Sequence, residues 1–154
     1  MIDKNDEYFM KKALIMAKIA AKNAEIPVGA VIVKEGEILA CGRNRRERGK
    51  NALYHAEIEA INKACKCLNS WRLLGCELFV TLEPCPMCAG AIINSRISRV
   101  IFGAYDPKAG ACGSVIDLFS YPYNHLPQKC GGVLKEQCGD ILSNFFKKLR
   151  PPTD

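Results

Sequence analysis

Apolar positions along the chain follow two rhythms, one near 3.6 residues and one short and strand-like, and their succession predicts alternating helices and strands. From Asp6 to about Asn23, the residues Phe9, Ala13, Met16, Ala17 and Ala20 recur at helical spacing. Asn5 or Asp6 stands ready as the N-cap, so an amphipathic helix is expected. Gly29 to Val33 and Ile38 to Cys41 are β-rich runs around the polar turn Lys34-Glu35-Gly36-Glu37, and they read as a hairpin. A basic loop follows. Next come a helix from about His55 to Cys67, an apolar strand at Leu78 to Leu82, a short helix beginning in Pro84 to Cys88, and a strand at Val100 to Phe102. Beyond a Gly- and Pro-rich stretch, Leu134, Cys138, Ile141, Leu142, Phe145 and Leu149 share one face, which predicts a final packed helix from Leu134 to Leu149. Strand-helix-strand order implies a partly parallel sheet covered by helices.

Length limits this pattern to one core. The chain has 154 residues, about half of them apolar, and no repeat, low-complexity tract or linker-like stretch marks a boundary, so residues 1–154 are expected to form a single domain. No uncharged apolar run approaches the roughly 20 residues of a membrane helix. Residues 1–7 carry Asp3, Lys4, Asp6 and Glu7 in place of the basic and apolar regions of a secretory signal. A soluble, cytoplasmic protein is therefore expected. The nine cysteines change the picture little: the count is odd, and several lie in apolar periodic segments where a thiol packs as a small hydrophobe. A formal charge of +6, from 22 Lys and Arg against 16 Asp and Glu, permits a polyanionic partner without requiring one.

Candidate chemistry gathers at two helix starts. Pro84-Cys85-Pro86-Met87-Cys88 puts two thiols on one side of a first helical turn, where unpaired N–H groups and the helix dipole favour the metal-binding thiolate. Taken alone, the pair also fits a redox dithiol, half of a four-cysteine structural site, or two buried thiols. His55-Ala56-Glu57 opens another helix upstream. With only two histidines in the chain, a three-histidine zinc site is impossible, whereas His55, Cys85 and Cys88 leave a fourth tetrahedral position for water. Two thiolates and a neutral imidazole cancel the charge of zinc, so such a metal acidifies water less than an all-histidine site does. A nearby base is then needed. Glu57 is expected to stay off the metal, take a proton from the activated water, pass it to a ring nitrogen and help an amino group leave as ammonia.

The combination His55-Ala56-Glu57 with Pro84-Cys85-Pro86-Met87-Cys88 resembles the signature of the cytidine deaminase superfamily of zinc deaminases. Longer runs resemble, within that superfamily, the bacterial tRNA adenosine deaminase family: Ile26-Pro27-Val28-Gly29-Ala30-Val31, His55-Ala56-Glu57-Ile58, and Thr81 through Ala91. Further matches are Ser95-Arg96-Ile97, Phe102-Gly103-Ala104, the Asp106, Lys108, Gly110 and Gly113-Ser114 pattern, Asn124-His125, and Leu142-Ser143 with Phe145-Phe146. The resemblance spans nearly the whole chain. It implies a three-layer α/β/α fold with a five-stranded mixed sheet, one zinc ion per subunit, a homodimer, and conversion of adenosine to inosine at the first anticodon position of a tRNA anticodon stem-loop. By position it also implies that Asn44 hydrogen-bonds the base, that Ile26, Pro27 and Val28 wall the pocket, and that Asp106, Lys108, Phe145 and Arg150 touch loop nucleotides. Extracting a base costs least where the strand is already single.

Arg43, Arg45, Arg46, Arg48 and Lys50, opposed in that loop only by Glu47, suit phosphates near Asn44. Cys41, Cys65, Cys67, Cys76, Cys112, Cys130 and Cys138 have no part in the chemistry and are expected to be structural. Trp71 and His125 are expected in packing or turns. Two rivals stand beside the tRNA reading: a deaminase of a free base or nucleoside, which shares the zinc motifs, and a zinc-stabilised nucleic-acid-binding module, which has no use for Glu57.

Overall fold

The computed structural model describes residues 2–149. In chain order the elements are α1 (Lys4–Lys22), β1 (Gly29–Lys34), β2 (Glu37–Arg43), α2 (Arg46–Gly49), α3 (Ala56–Leu68), β3 (Cys76–Leu82), α4 (Pro86–Asn94), β4 (Arg99–Ala104), a 3₁₀ turn at Leu118–Ser120, β5 (Gln128–Gly131) and α5 (Lys135–Leu149). The five strands lie in the order β2-β1-β3-β4-β5. β1 runs antiparallel to β2 and β3, while β3, β4 and β5 are parallel. This is the expected mixed sheet.

Alternation along the strands divides the core into two layers. Ala30, Ile32, Leu78, Val80, Val100 and Phe102 turn to one face, where Ala60, Ala64, Ala89 and Ile92 of α3 and α4 cover them. Val31, Val33, Phe79 and Ile101 turn to the other, against Phe9, Met10 and Ala13 of α1 and Cys138 of α5. Helices thus cover both faces of the sheet. Among the described residues no helix is long and apolar enough to cross a membrane.

Several boundaries differ from the sequence expectation for identifiable reasons. The hairpin turn is two residues, Glu35 and Gly36, both at positive φ, so the strands continue to Lys34 and Glu37. α1 is capped by Asp3 rather than Asn5 or Asp6. Asp3 accepts from the Asn5 N–H, and the Asp6 carboxylate accepts from the Asp3 N–H at 2.8 Å, a reciprocal capping box. Asp6 is buried beneath Arg99, which donates to both its oxygens at 2.7 and 2.8 Å.

The basic loop contains the short helix α2. β5 escapes recognition because Gln128-Lys129-Cys130-Gly131 has no apolar alternation; main-chain pairing with β4 defines it. In α5 only Cys138 is fully buried; Leu134 and Ile141 are partly covered and Leu149 is 62% exposed, so the apolar face finds partners mainly in the first turns. Trp71 is exposed rather than packed, with the Arg72 guanidinium 4.2 Å from its ring centroid. His125 Nε2 lies 2.7 Å from the Ile97 carbonyl oxygen.

Candidate active site

Two helix N-termini converge on one side of the sheet. His55 is the residue before α3 and Cys85 the residue before α4, both with extended backbone, and Cys88 stands in the first turn of α4. Pro86 at the first position of α4 fixes the helical entry without giving up a needed N–H. His55 Nδ1 lies 3.6 Å from Cys85 Sγ and 3.6 Å from Cys88 Sγ. All three ligand atoms fall within 4.8 Å of one another, and no other His, Cys, Asp or Glu cluster of this kind exists among the described residues. Bonds of the lengths zinc makes to sulfur and imidazole nitrogen give a tetrahedral N-to-S edge of about 3.6 Å. The donor set and its spacing therefore fit a metal ion of that preference.

The electrostatics suit the same role. Hydrogen bonding from Cys88 and His55 draws the Cys85 thiol down to about 4 against the cost of burial, and its bond to Cys85 raises the imidazole of His55. Cys88 is held well above the ordinary thiol range by its hydrogen bond to Cys85 and by burial. Glu57, in the first turn of α3, is buried, and desolvation pushes its carboxyl up to about 7, helped by the negative charge of Cys85. That value suits a group that both accepts and returns a proton near neutrality.

A cavity of about 210 Å³ opens over this cluster. His55, Glu57 and Cys85 line it together with Ile26, Val28, Asn44, Arg46, Ala56, Leu82, Glu83, Asp106 and Ala109. Pro27 is buried outside the lining, at the centre of a tight turn in which the Val28 N–H donates to the Ile26 carbonyl at 2.9 Å. Asn44 is nearly buried: its Nδ2 donates to the Ile26 carbonyl at 3.2 Å and its Oδ1 accepts from the Arg46 N–H at 3.1 Å. One N–H and one lone pair of that amide are left for another partner. Lys108 is exposed on the rim loop and does not line the cavity. Phe145 lies on α5, its ring 5.7 Å from that of Phe146, and is likewise outside the lining. Arg150 lies outside the described residues.

The basic cluster divides. Arg46 faces the cavity, whereas Arg43 and Arg45 line a neighbouring cleft in which Arg45 pairs with Glu59 at 3.1 Å. Glu59 is thus a second acidic opponent that the loop itself does not reveal.

Two buried carboxylates of the site were not singled out from sequence. Glu83 immediately precedes Pro84-Cys85. It accepts from the backbone N–H groups of Asp106, Cys112 and Ser114 at 3.0 to 3.1 Å and from the Ser114 hydroxyl. Burial alone raises its carboxyl, but these donors outweigh burial and leave it below the ordinary range. Glu25 accepts from the N–H groups of Glu47 and Arg48 at 2.9 and 2.8 Å. The only sequence signal was position: an acid beside Pro84-Cys85 and another beside Ile26-Pro27.

Residues 4–150 match the MafB19-like deaminase family. The chain is 49% identical over 146 residues to the tRNA-specific adenosine deaminase of Bacillus subtilis (strain 168), covering 94% of this chain and 91% of that protein. It is also 49% identical to the enzyme of the same name from Aquifex aeolicus (strain VF5), over 94% and 95% of the two chains. A solved structure from studies of A-to-I editing by tRNA:A34 deaminases at the wobble position of transfer RNA superposes with a TM-score of 0.85 at 43% identity, covering 88% of this chain and 99% of that one. Near-half identity along almost the full length of both partners makes this protein a member of the tRNA-specific adenosine deaminase family.

Proposed function

We propose that the protein hydrolyses adenosine to inosine at the wobble position of a tRNA anticodon stem-loop, releasing ammonia. The observation that carries this reading is the buried Glu57, which lines a cavity beside a His55, Cys85 and Cys88 cluster, in a member of this family. His55, Cys85 and Cys88 hold one zinc ion per subunit, and when bound it supplies the Lewis acid that makes water nucleophilic near neutral pH. Glu57 takes one proton from the attacking water and delivers it to the ring nitrogen next to the amino-bearing carbon. It then takes the remaining proton from the hydroxyl now bonded to that carbon and gives it to the amino group as the C–N bond breaks, which leaves a carbonyl and releases ammonia. Its burial supports this role by keeping the carboxyl ready to hold a proton between the two transfers.

Asn44 orients the flipped base with the amide hydrogen-bonding capacity its internal partners leave unused, and Ile26 and Val28 flank the ring. Asp106 and Lys108 on the rim, with Phe145 and Arg150, contact neighbouring nucleotides, while Arg46 meets phosphate. Solubility, a cytoplasmic location and a homodimer belong to the same reading. Exposed apolar residues between the 3₁₀ turn and β5, and just before that turn, supply a face for the second copy; Val115 is 60% exposed and Tyr121 46%.

The test is inosine formation on an anticodon stem-loop with adenosine at its first anticodon position, with adenosine, guanine and cytidine as free compounds alongside. Turnover of the stem-loop alone supports the proposal, and turnover of a free compound alone moves the protein to the salvage-type rival. The Glu57→Ala variant is expected to lose at least about three orders of magnitude in turnover while keeping RNA affinity and metal content. If RNA affinity is lost instead, the binding-module reading prevails.

A further inference from the structure

Two of the cavity walls are loops, and each is held by a buried glutamate that accepts mainly from main-chain N–H groups: Glu83 at the end of β3 and Glu25 just beyond α1, where its own N–H bonds the Ala20 carbonyl at 3.0 Å. Glu83 lies where β3 ends, its own N–H still bonded to the Ala104 carbonyl at 2.8 Å. Its two oxygens receive four donors, two apiece: Asp106 N–H and the Ser114 hydroxyl on one, Cys112 and Ser114 N–H on the other. An ionised carboxylate offers about four acceptor positions, so this one is saturated. A Cβ at Gly110 would overlap the carboxylate, so the loop closes directly over Glu83. The Ala111 N–H bonds to the Pro84 carbonyl at 2.8 Å, joining the same loop to the segment that enters Cys85. Glu25 does the corresponding work on the opposite wall, holding Glu47 and Arg48 N–H groups and thereby α2, which presents Arg46 to the cavity. Both carboxylates are almost fully buried, and among the described residues no basic side chain is bonded to either.

We infer that Glu25 and Glu83 are positioning residues for the RNA, setting the spacing of the two loops that grip the nucleotides around the target while leaving the proton transfers to Glu57. The inference rests on the proposed tRNA reading. Glu83, with four donors, and Glu25, with two, both spend their oxygens on loop groups away from the metal cluster; they fix where Asp106 and Arg46 stand before RNA arrives, so the ordering entropy is not lost at the moment of binding.

The experiment is steady-state kinetics on the anticodon stem-loop with Glu25→Gln and Glu83→Gln, together with metal content. Glutamine keeps the shape but turns an acceptor into a donor facing N–H groups. KM is expected to rise about tenfold in each variant, the loss of one charge-assisted bond's worth of order, with kcat within about threefold and metal content unchanged. Ser114→Ala keeps the three main-chain bonds, and its KM is expected to stay within about threefold of the parent. A fall in kcat at unchanged KM, loss of metal, or unchanged kinetics overturns the inference. Amide exchange in the unsubstituted protein decides the case where a variant does not fold: the amides of Cys112, Ser114, Glu47 and Arg48 are expected to be protected at least about a hundredfold, and free exchange refutes the anchoring. That measurement also stands if the unsubstituted enzyme fails to deaminate the stem-loop, an outcome that sinks the functional proposal and not the anchors.

Discussion

Gly42 lies in β2 against the start of α3, and a Cβ there would overlap the carbonyl oxygen of Ala56 and the backbone nitrogen of Ala60. Neither obstacle is a flexible side-chain end, so one of the two elements must move. Gly42→Ala is expected to cost about 1–3 kcal/mol, as overpacking does, and also to lower metal affinity, because His55 caps the displaced helix and Glu57 lies in its first turn. Thermal melting and metal content of the purified variant check both. At this scale the sequence was informative where chemistry demands particular side chains in series. His55, Glu57, Cys85 and Cys88 were readable because a ligand set and a base are recognised by type and spacing. Glu25 and Glu83 were not, since main-chain N–H groups some 20 to 30 residues away leave no mark on composition. Placing Pro27 with Ile26 and Val28 on the pocket wall overlooked the tight turn that the Val28 N–H closes onto the Ile26 carbonyl around it.

Between elements, the most consequential polar contact is the one that fixes α1 across the sheet. Arg99 of β4 bonds Asp6 of α1 at 2.7 Å and Glu77 of β3 at 3.0 Å. Burial opposes ionisation of Asp6, but bonds from Arg99 and the Asp3 N–H outweigh it and hold the carboxyl below its ordinary 3.8. Because the folded value is the lower one, this stabilisation is complete above about pH 4 and is lost as the pH falls through the folded value. Asp6→Ala is expected to cost about 2–3 kcal/mol at neutral pH by removing the charge-assisted bonds to Arg99, which keeps Glu77, and half of the capping box. Urea unfolding at pH 7 and near pH 3 checks the sign: the gap between parent and variant shrinks at the lower pH. The helix itself was legible in its apolar spacing, but its start was set by the reciprocal Asp3–Asp6 capping box, which that spacing does not mark. β5 was illegible because it is a strand made by its neighbour's backbone.

At the scale of the whole molecule, the metal cluster joins the beginnings of α3 and α4 on one face of a sheet whose two apolar layers are built without it. Stripping the metal with a chelator is therefore expected to abolish activity and leave the circular dichroism of a folded α/β protein. The melting temperature should fall by about 10 °C, the shift expected when a ligand in thousandfold excess over its dissociation constant is removed. Complete unfolding on chelation contradicts this. The fold class was readable from alternating periodicities together with the resemblance, whereas the division of the arginines between two clefts needed the partner Glu59, in a different element. The way the rim loops are fastened has an evolutionary consequence. Apart from the Ser114 hydroxyl, Glu25 and Glu83 hold peptide groups, which every amino acid supplies in the same form except proline, so the fastening is largely independent of the side chains the loops carry. Under the proposed RNA reading, substitutions at Arg46, Lys108 or Ala109 retune which nucleotides are accepted without loosening the frame, whereas Asp106, whose Oδ1 accepts from the Lys108 and Ala109 N–H groups at 3.0 and 3.1 Å, belongs to the frame itself. The architecture keeps a fixed engine under an interchangeable reading head.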